Sequence, residues 1–263
     1  MLDAQDISVT YGRKTVLNHV SFHALAGQVT AIVGPNGSGK STLMKAMTGD
    51  VPHTGQVTLN GRDVTDLTPW ELASMRGVLP QQVSLAFPFV AEEIVRLGAR
   101  AGLSAADPGL PAAALAAVGL RGYGSRYYQE LSGGEQQRVQ LARVLAQVWV
   151  AERDGQPSWL FLDEPVSSLD IGHQLEVIEI ARSYASRGGG VVAVMHDLNL
   201  TAMCADRVCL MKDGRVLAAG PVGDVFQNGL LSKAYDCQIL TNTAPPDPSG
   251  RYLLPHMCAR RAG

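Results

Sequence analysis

Gly34-Pro35-Asn36-Gly37-Ser38-Gly39-Lys40-Ser41 decides how this chain is read. Immediately upstream, Val29-Thr30-Ala31-Ile32-Val33 is apolar and β-branched and predicts a short buried strand. Immediately downstream, Thr42-Leu43-Met44-Lys45-Ala46-Met47 predicts the start of a helix. Strand, glycine-rich turn, Lys-Ser and helix form the context in which a G-x-x-x-x-G-K-[ST] match becomes a phosphate site. The glycines let the backbone of 34–42 curl around an anion with its N–H groups turned inward. The helix that follows offers free N–H groups and a partial positive charge to the same anion. Lys40 adds a full charge within reach of β- and γ-phosphates, and Ser41 a hydroxyl for Mg²⁺. A turn that merely joins strand to helix is the plain alternative, but it does not call for all four anchors in this flanking order.

Composition narrows what the nucleotide serves. The 263 residues suit one domain with subdomains, and 46% hydrophobic content provides an ample core. The net charge is −2, with no block of like charge, so nucleic acid is not an expected partner. Cys204, Cys209, Cys237 and Cys258 have no zinc or haem-attachment spacing and fit a reducing cytoplasm. The start Met1-Leu2-Asp3-Ala4-Gln5-Asp6 lacks the basic and apolar regions of a secretory signal. The Ala-rich stretch 101–120 is broken by Asp107, Pro108 and Pro111, so no run is long enough to span a membrane. Any membrane connection is expected through a partner protein.

Outward from the loop, 7–10, 16–22 and 29–33 predict strands, with a turn at Tyr11-Gly12-Arg13-Lys14. Asn60-Gly61 between 57–59 and 62–64 is a hairpin signal, because both turn positions need positive φ. The loop helix is expected to end at Gly49, and 66–76 to form a capped helix with an early Pro. Helical patterns follow at 90–100, 111–118 and 135–150, so 83–158 reads as a mainly helical insertion. After the polar break 152–157, Trp159-Leu160-Phe161-Leu162 is an apolar strand ending in Asp163-Glu164. A helix over 172–186, a strand over 191–195 ending at His196, a helix over 198–205 and a hairpin over 208–219 complete the pattern. This predicts an α/β chain with polar groups at the carboxyl ends of its strands, where parallel sheets place ligands. One domain is expected over 1–240: core and antiparallel β subdomain from 1–82 and 159–240, helical subdomain 83–158, tail 241–263.

Asp163, closing an apolar strand, is placed to hold the nucleotide's Mg²⁺ directly or through water, as in other P-loop nucleotidases. Glu164 beside it is placed to orient or deprotonate an attacking water, help worth about 10²–10⁴-fold. His196 ends another apolar strand on the same edge and can bond a γ-phosphate. Gln81 follows a strand-like segment and can sense Mg²⁺ or that water. Leu131-Ser132-Gly133-Gly134-Glu135 is a second glycine-bearing turn that opens a helix, hence a second anion cradle. One triphosphate seldom takes two such cradles from one chain. The economical solution is a dimer, the second cradle of one copy closing on the ATP held by the other.

These motifs, with Ser168-Leu169-Asp170 in the same order, resemble those of ATP-binding cassette (ABC) ATPases over nearly the whole chain. The resemblance implies an ABC ATPase fold: a RecA-like P-loop core, an antiparallel β subdomain and an inserted α-helical subdomain. It implies that Tyr11 stacks on adenine, that Ser132 and Gly134 contact the opposite nucleotide's γ-phosphate, and that Asp170 links the two sites. Val166 departs from the Thr that many members carry. Arg76-Gly77-Val78-Leu79-Pro80-Gln81, Phe87-Pro88-Phe89-Val90 and Ile94-Val95-Arg96-Leu97-Gly98 are similar to the cassettes of vitamin B12, siderophore and haem importers. The insertion before Trp159 and the run 167–174 lean towards haem, whereas Gly98-Ala99-Arg100-Ala101 departs from the expected Gly-Arg-x-Pro-His.

The resemblance thus implies an ATP-driven translocase subunit using ATP and Mg²⁺. Its partners would be a second copy, two transmembrane permease subunits and, indirectly, a periplasmic substrate-binding protein. It would sit peripherally on the cytoplasmic face of the bacterial inner membrane. Leu85, Phe87 and Phe89 are the candidates for coupling to the permease, with ordinary subdomain core as the alternative. His256-Met257-Cys258 is read as part of a tail and not as a haem ligand set. The rivals are a soluble cassette in translation or DNA maintenance and a regulatory module without turnover. Proteins of the first kind usually show paired cassettes or long coiled-coil arms, and this chain has neither, nor a basic patch; the second is disfavoured by Glu164 and His196.

Overall fold

The computed structural model describes residues 1–81, 83, 87–103 and 106–243. The N-terminal half runs β1 (Leu2–Tyr11), β2 (Lys14–Ala24), β3 (Val29–Val33), α1 (Lys40–Met47), β4 (Thr54–Leu59), β5 (Arg62–Asp63), α2 (Pro69–Met75) and β6 (Arg76–Leu79). Three helices follow, α3 (Ala91–Ala101), α4 (Leu110–Ala117) and α5 (Gly133–Gln147), then a small hairpin, β7 (Glu152–Arg153) with β8 (Gln156–Pro157). The rest is β9 (Trp159–Asp163), α6 (Ile171–Ser186), β10 (Gly190–Val194), α7 (Leu198–Cys204), β11 (Arg207–Lys212), β12 (Arg215–Pro221), α8 (Val222–Val225) and α9 (Asn228–Tyr235).

Two sheets divide the work. The larger has the order β12-β11-β3-β10-β9-β6, and all but β12 are parallel. The smaller is antiparallel, β2-β1-β4-β5. Period-two alternation sends the central strands' residues to two cores. Val29, Ala31, Leu160, Leu162, Val191 and Ala193 pack with the helices α3–α7, whereas Ile32, Trp159, Phe161, Val192 and Val194 pack with α1 and the antiparallel sheet. Strands buried on both faces carry no polar alternation, which is why β3, β9 and β10 read as continuous apolar runs.

Local chemistry sets the boundaries. Asn60 (φ 52°) and Gly61 (φ 79°) form the anticipated hairpin turn. The helix expected from residue 66 instead starts at Pro69, because Thr68 and Glu71 close a capping box around that first turn. Asp66 belongs to a separate 3₁₀ turn capped by Asp63. The polar break 152–157 is a hairpin whose Pro157 carbonyl accepts from Asn60 Nδ2 at 2.8 Å, tying it to the turn between β4 and β5. The helical block is built on backbone-to-backbone contact. A Cβ on Gly98 or Gly102 of the α3 end would stand 1.9 Å from Arg143 O or 1.8 Å from Gln147 O of α5.

Candidate functional site

The parallel strands β3, β10, β9 and β6 are adjacent and in register, Ile32 beside Val194, Val194 beside Asp163 and Leu162 beside Leu79. Their carboxyl ends therefore deliver the 34–39 loop, His196, Asp163-Glu164 and Gln81 to one edge.

The loop is held by steric squeeze. A Cβ on Gly34 (φ 148°) would stand 2.2 Å from Met211 O, and one on Gly39 (φ 97°) 2.7 Å from Leu17 Cδ2. Gly37 (φ 78°) has open space where a side chain would go, on the cavity side of the loop. No side chain caps α1, so its first-turn N–H groups stay available to an anion. Lys40 is buried and its Nζ donates to Gly34 O at 2.9 Å and Pro35 O at 3.0 Å. Burial lowers the Lys40 pKa, while the Glu164 and Asp163 charges oppose that shift. The buried Ser38 hydroxyl has no hydrogen-bond partner, an orphan that an oxyanion in the cradle would satisfy.

Ser41 Oγ donates to Asp163 Oδ1 at 3.0 Å. Burial raises the Asp163 pKa; the Ser41 bond pulls it back, Glu164 pushes it further up, and Lys45 and Lys40 draw it down. A hydroxyl and a carboxylate converging beside the phosphate loop are the hard oxygen donors that suit Mg²⁺, which usually takes one or two protein oxygens plus phosphates and water. Among the described residues no cluster of three or more His, Cys, Asp or Glu forms a protein-only metal cage.

Glu164 has a left-handed backbone, φ 53°, uncommon outside glycine. Both carboxylate oxygens are engaged: His196 Nε2 lies 2.6 Å from Oε1, and Gln81 Nε2 donates to Oε2 at 2.9 Å. A cavity of about 600 Å³ opens in front of this group, walled by Asn36, Gly37, Gly39, Lys40, Ser41, Thr42, Gln81, Glu164 and His196. Asp163 is reached through Ser41, and Gly34, Pro35 and Ser38 belong to the same loop without lining the cavity.

The other anticipated residues are not on these walls. Tyr11 is exposed at the end of β1, paired with Lys14 across a hairpin. Ser132 caps α5 in a box with Glu135, and Gly133 and Gly134 form the first turn of that helix. A Cβ on Gly134 would stand 3.3 Å from Leu169 Cδ2, so the second glycine turn abuts the 168–170 loop. Asp170 caps α6, accepting from His173 N at 3.0 Å, with His173 Nδ1 2.9 Å from the same oxygen. Of the coupling candidates, Phe87 is exposed, Phe89 packs partly buried against the larger core, and Leu85 lies outside the described residues, as does 256–258. Sequence reasoning missed Lys14 and Val16, which line the cavity from β2, and Gln137 of α5, which donates to Glu164 O at 3.2 Å. The turn at 11–14 was the signal for the first two; Gln137 has none, since its bond spans 27 residues.

A glycine cradle, a Lys, a Ser–Asp pair and a positioned Glu on one sheet edge define a P-loop nucleoside triphosphatase with an inserted helical block. Residues 17–167 match the family model for the ABC transporter ATPase domain. The chain is 60% identical to the hemin import ATP-binding protein HmuV of Jannaschia sp. (strain CCS1), over 100% of this chain and 97% of that protein. It is 58% identical to HmuV of Roseobacter denitrificans, over 98% of this chain and 99% of that one. A dimeric ATP-binding cassette solved in a post-hydrolysis state with ADP and Pi superposes with a TM-score of 0.72 at 26% identity, covering 84% of this chain and 99% of that one. This chain belongs to the ABC transporter family, and its fold is that of an ABC ATPase.

Proposed function

We infer that the chain is the ATP-hydrolysing subunit of a haem importer, working as a homodimer docked on a membrane permease. The observation that carries the substrate is the full-length match to hemin import ATP-binding proteins. No described helix is long and apolar enough to cross a membrane; the likeness to import ATP-binding proteins supports a permease partner, with this chain bound peripherally on its cytoplasmic side. One nucleotide-binding domain spans 1–240; most of the tail expected over 241–263 lies outside the described residues.

ATP enters the cavity with its phosphates on the 34–42 cradle. Lys40 exchanges its bonds to Gly34 O and Pro35 O for phosphate oxygens. Ser41 and Asp163 would hold Mg²⁺, which would supply positive charge against the phosphates. Glu164 accepts the proton of the attacking water, His196 orients the γ-phosphate, and Gln81 reports on the metal and the water. Tyr11 stacks on adenine. Ser132, Gly133 and Gly134 stand off the cavity of their own chain, which supports their closing on the nucleotide of a second copy, with Asp170 between the sites. Closure on ATP and reopening after hydrolysis would drive the permease through the exposed Phe87 region.

Proteoliposomes carrying the chain, its permease and a haem-binding protein outside test this reading. Haem should stimulate ATPase activity, and a ferric siderophore or vitamin B12 should not. Stimulation by either of those, with none by haem, would overturn the substrate assignment.

A further inference from the structure

We propose that Gln137 is a positioning residue that ties α5, the helix bearing the second glycine turn, to the backbone of Glu164 in the same chain. The inference rests on Glu164 being the proton acceptor.

A left-handed backbone at a non-glycine residue persists only when its surroundings over-determine it. Glu164 N donates to Val194 O at 3.2 Å. Its carbonyl accepts from Ser167 N at 3.3 Å and Ser167 Oγ at 3.2 Å, and from Gln137 Nε2 at 3.2 Å. Val194 and Ser167 belong to the neighbouring strand and to the loop that Glu164 itself opens. Gln137 alone among these backbone partners comes from α5. A carbonyl oxygen only accepts, so the contacting amide atom is the donor Nε2. The other end of that amide, Oε1, is buried with no partner among the described residues, so the Glu164 carbonyl is the described contact that fixes it.

The same stretch of α5 is rigidly built at its start. Ser132 closes its capping box with Glu135, and Gln136 Nε2 donates to Tyr128 O at 3.0 Å and Leu131 O at 3.1 Å. Gln136 holds the 128–131 turn while Gln137 holds Glu164, one residue apart on one helix. A cleft of about 290 Å³ separates α5 from the loop after β6, lined by Gln81, Gly133, Gln136, Gln137, Gln140 and Ser168. Gln140 is buried there with an unpartnered Nε2. The helix therefore meets the proposed catalytic edge across a loosely filled gap, apolar at Leu79, Pro80 and Val83 and polar along α5, with the Gln137 amide reaching over it. When the glycine turn of α5 seats on a nucleotide, the displacement reaches the Glu164 carbonyl, and its carboxylate is set against His196 and Gln81.

The test is steady-state ATPase kinetics of the full chain carrying Gln137→Leu or Gln137→Glu, which lack the donor, and Gln137→Lys, which retains one on a long side chain. Glu164→Gln serves as the reference for the loss of the base. The donor-less variants should lose about tenfold in kcat, with KM for ATP within about twofold of the parent, since a hydrogen bond and sub-ångström orientation are at stake rather than nucleotide contacts. Gln137→Lys should recover to within about threefold of the parent. On a Glu164→Gln background, Gln137→Leu should leave ATP-dependent dimer formation unchanged. Parental kcat in both donor-less variants would overturn the proposal. So would parallel changes in kcat, KM and dimer formation, or a Lys variant as impaired as the Leu variant. Parental turnover by Glu164→Gln would instead sink the assignment of the base, whatever Gln137 does.

Discussion

Replacing Glu164 by Gln removes the proposed proton acceptor while keeping its shape. In the parent, two acceptor oxygens meet His196 Nε2 at 2.6 Å and Gln81 Nε2 at 2.9 Å. An amide offers one acceptor and one NH₂, so one of these bonds persists and the other is rearranged or lost. The cradle keeps its hydrogen bonds, because Lys40 and Ser41 contact Gly34, Pro35 and Asp163 and not Glu164, and Lys40 loses only the distant pull of the Glu164 charge. Folding should change little: a bond at a partly buried side chain is weakened, and the repulsion with Asp163 that raises that carboxyl is relieved. The chemical step loses a general base worth about 10²–10⁴-fold, so turnover should fall about 10³-fold, roughly 4 kcal/mol on the barrier. Phosphate release by the full chain under single-turnover and steady-state conditions measures this, and nucleotide retained on a filter measures binding. The variant should hold ATP and scarcely cleave it. Turnover within about tenfold of the parent would refute the role given to Glu164, and loss of ATP binding would refute the separation of cradle from chemistry.

Gly98→Ala should destabilise the fold. Its Cβ would stand 1.9 Å from Arg143 O, so α3 must back away from α5 at an overpacking cost of about 1–3 kcal/mol, partly offset by about 1 kcal/mol of helix propensity. Tm should fall by a few degrees, whereas Gly229→Ala in α9, with nothing within 4 Å of its Cβ, meets no clash, keeps the propensity gain and should hold or slightly raise it. The Glu71 carboxyl, hydrogen-bonded by Arg62 and by the Thr68 backbone and hydroxyl, is lowered to about 2. A depressed carboxylate stabilises the fold above its unfolded value of 4.5, and that contribution is lost as pH falls through about 2. A side-chain NMR titration should find its midpoint near 2 in the parent and higher in Arg62→Ala; a parent midpoint near 4.5 would contradict the cap geometry.

The catalytic edge was legible because its chemistry is local in sequence. Residues 34–41 are contiguous, and Asp163, Glu164 and His196 each end an apolar strand, so strand order alone assembles them. Three things were not legible. The 152–157 hairpin lacks apolar alternation and is held by Asn60, 97 residues from Pro157. Helices α8 and α9 are short and take their place by packing Val225, Leu231 and Ala234 into the larger core. The bond from Gln137 to Glu164 depends on how α5 lies against β9, which no periodicity encodes. The three glycines 188–190 between α6 and β10 are packing sites. Cβ atoms there would press on Glu152 at 2.8 Å, Tyr184 at 2.3 Å and Trp159 at 2.3 Å.

In the proposed function each ATP site is completed by a second copy of the chain. Light scattering of the Glu164→Gln chain with and without ATP and Mg²⁺ tests it most directly. The mass should double from the 27.9 kDa of one chain on adding ATP, and Ser132→Arg on the same background should bind ATP yet stay monomeric. A Glu164→Gln chain that binds ATP and remains a monomer, or a Ser132→Arg variant that still dimerises fully, would contradict it.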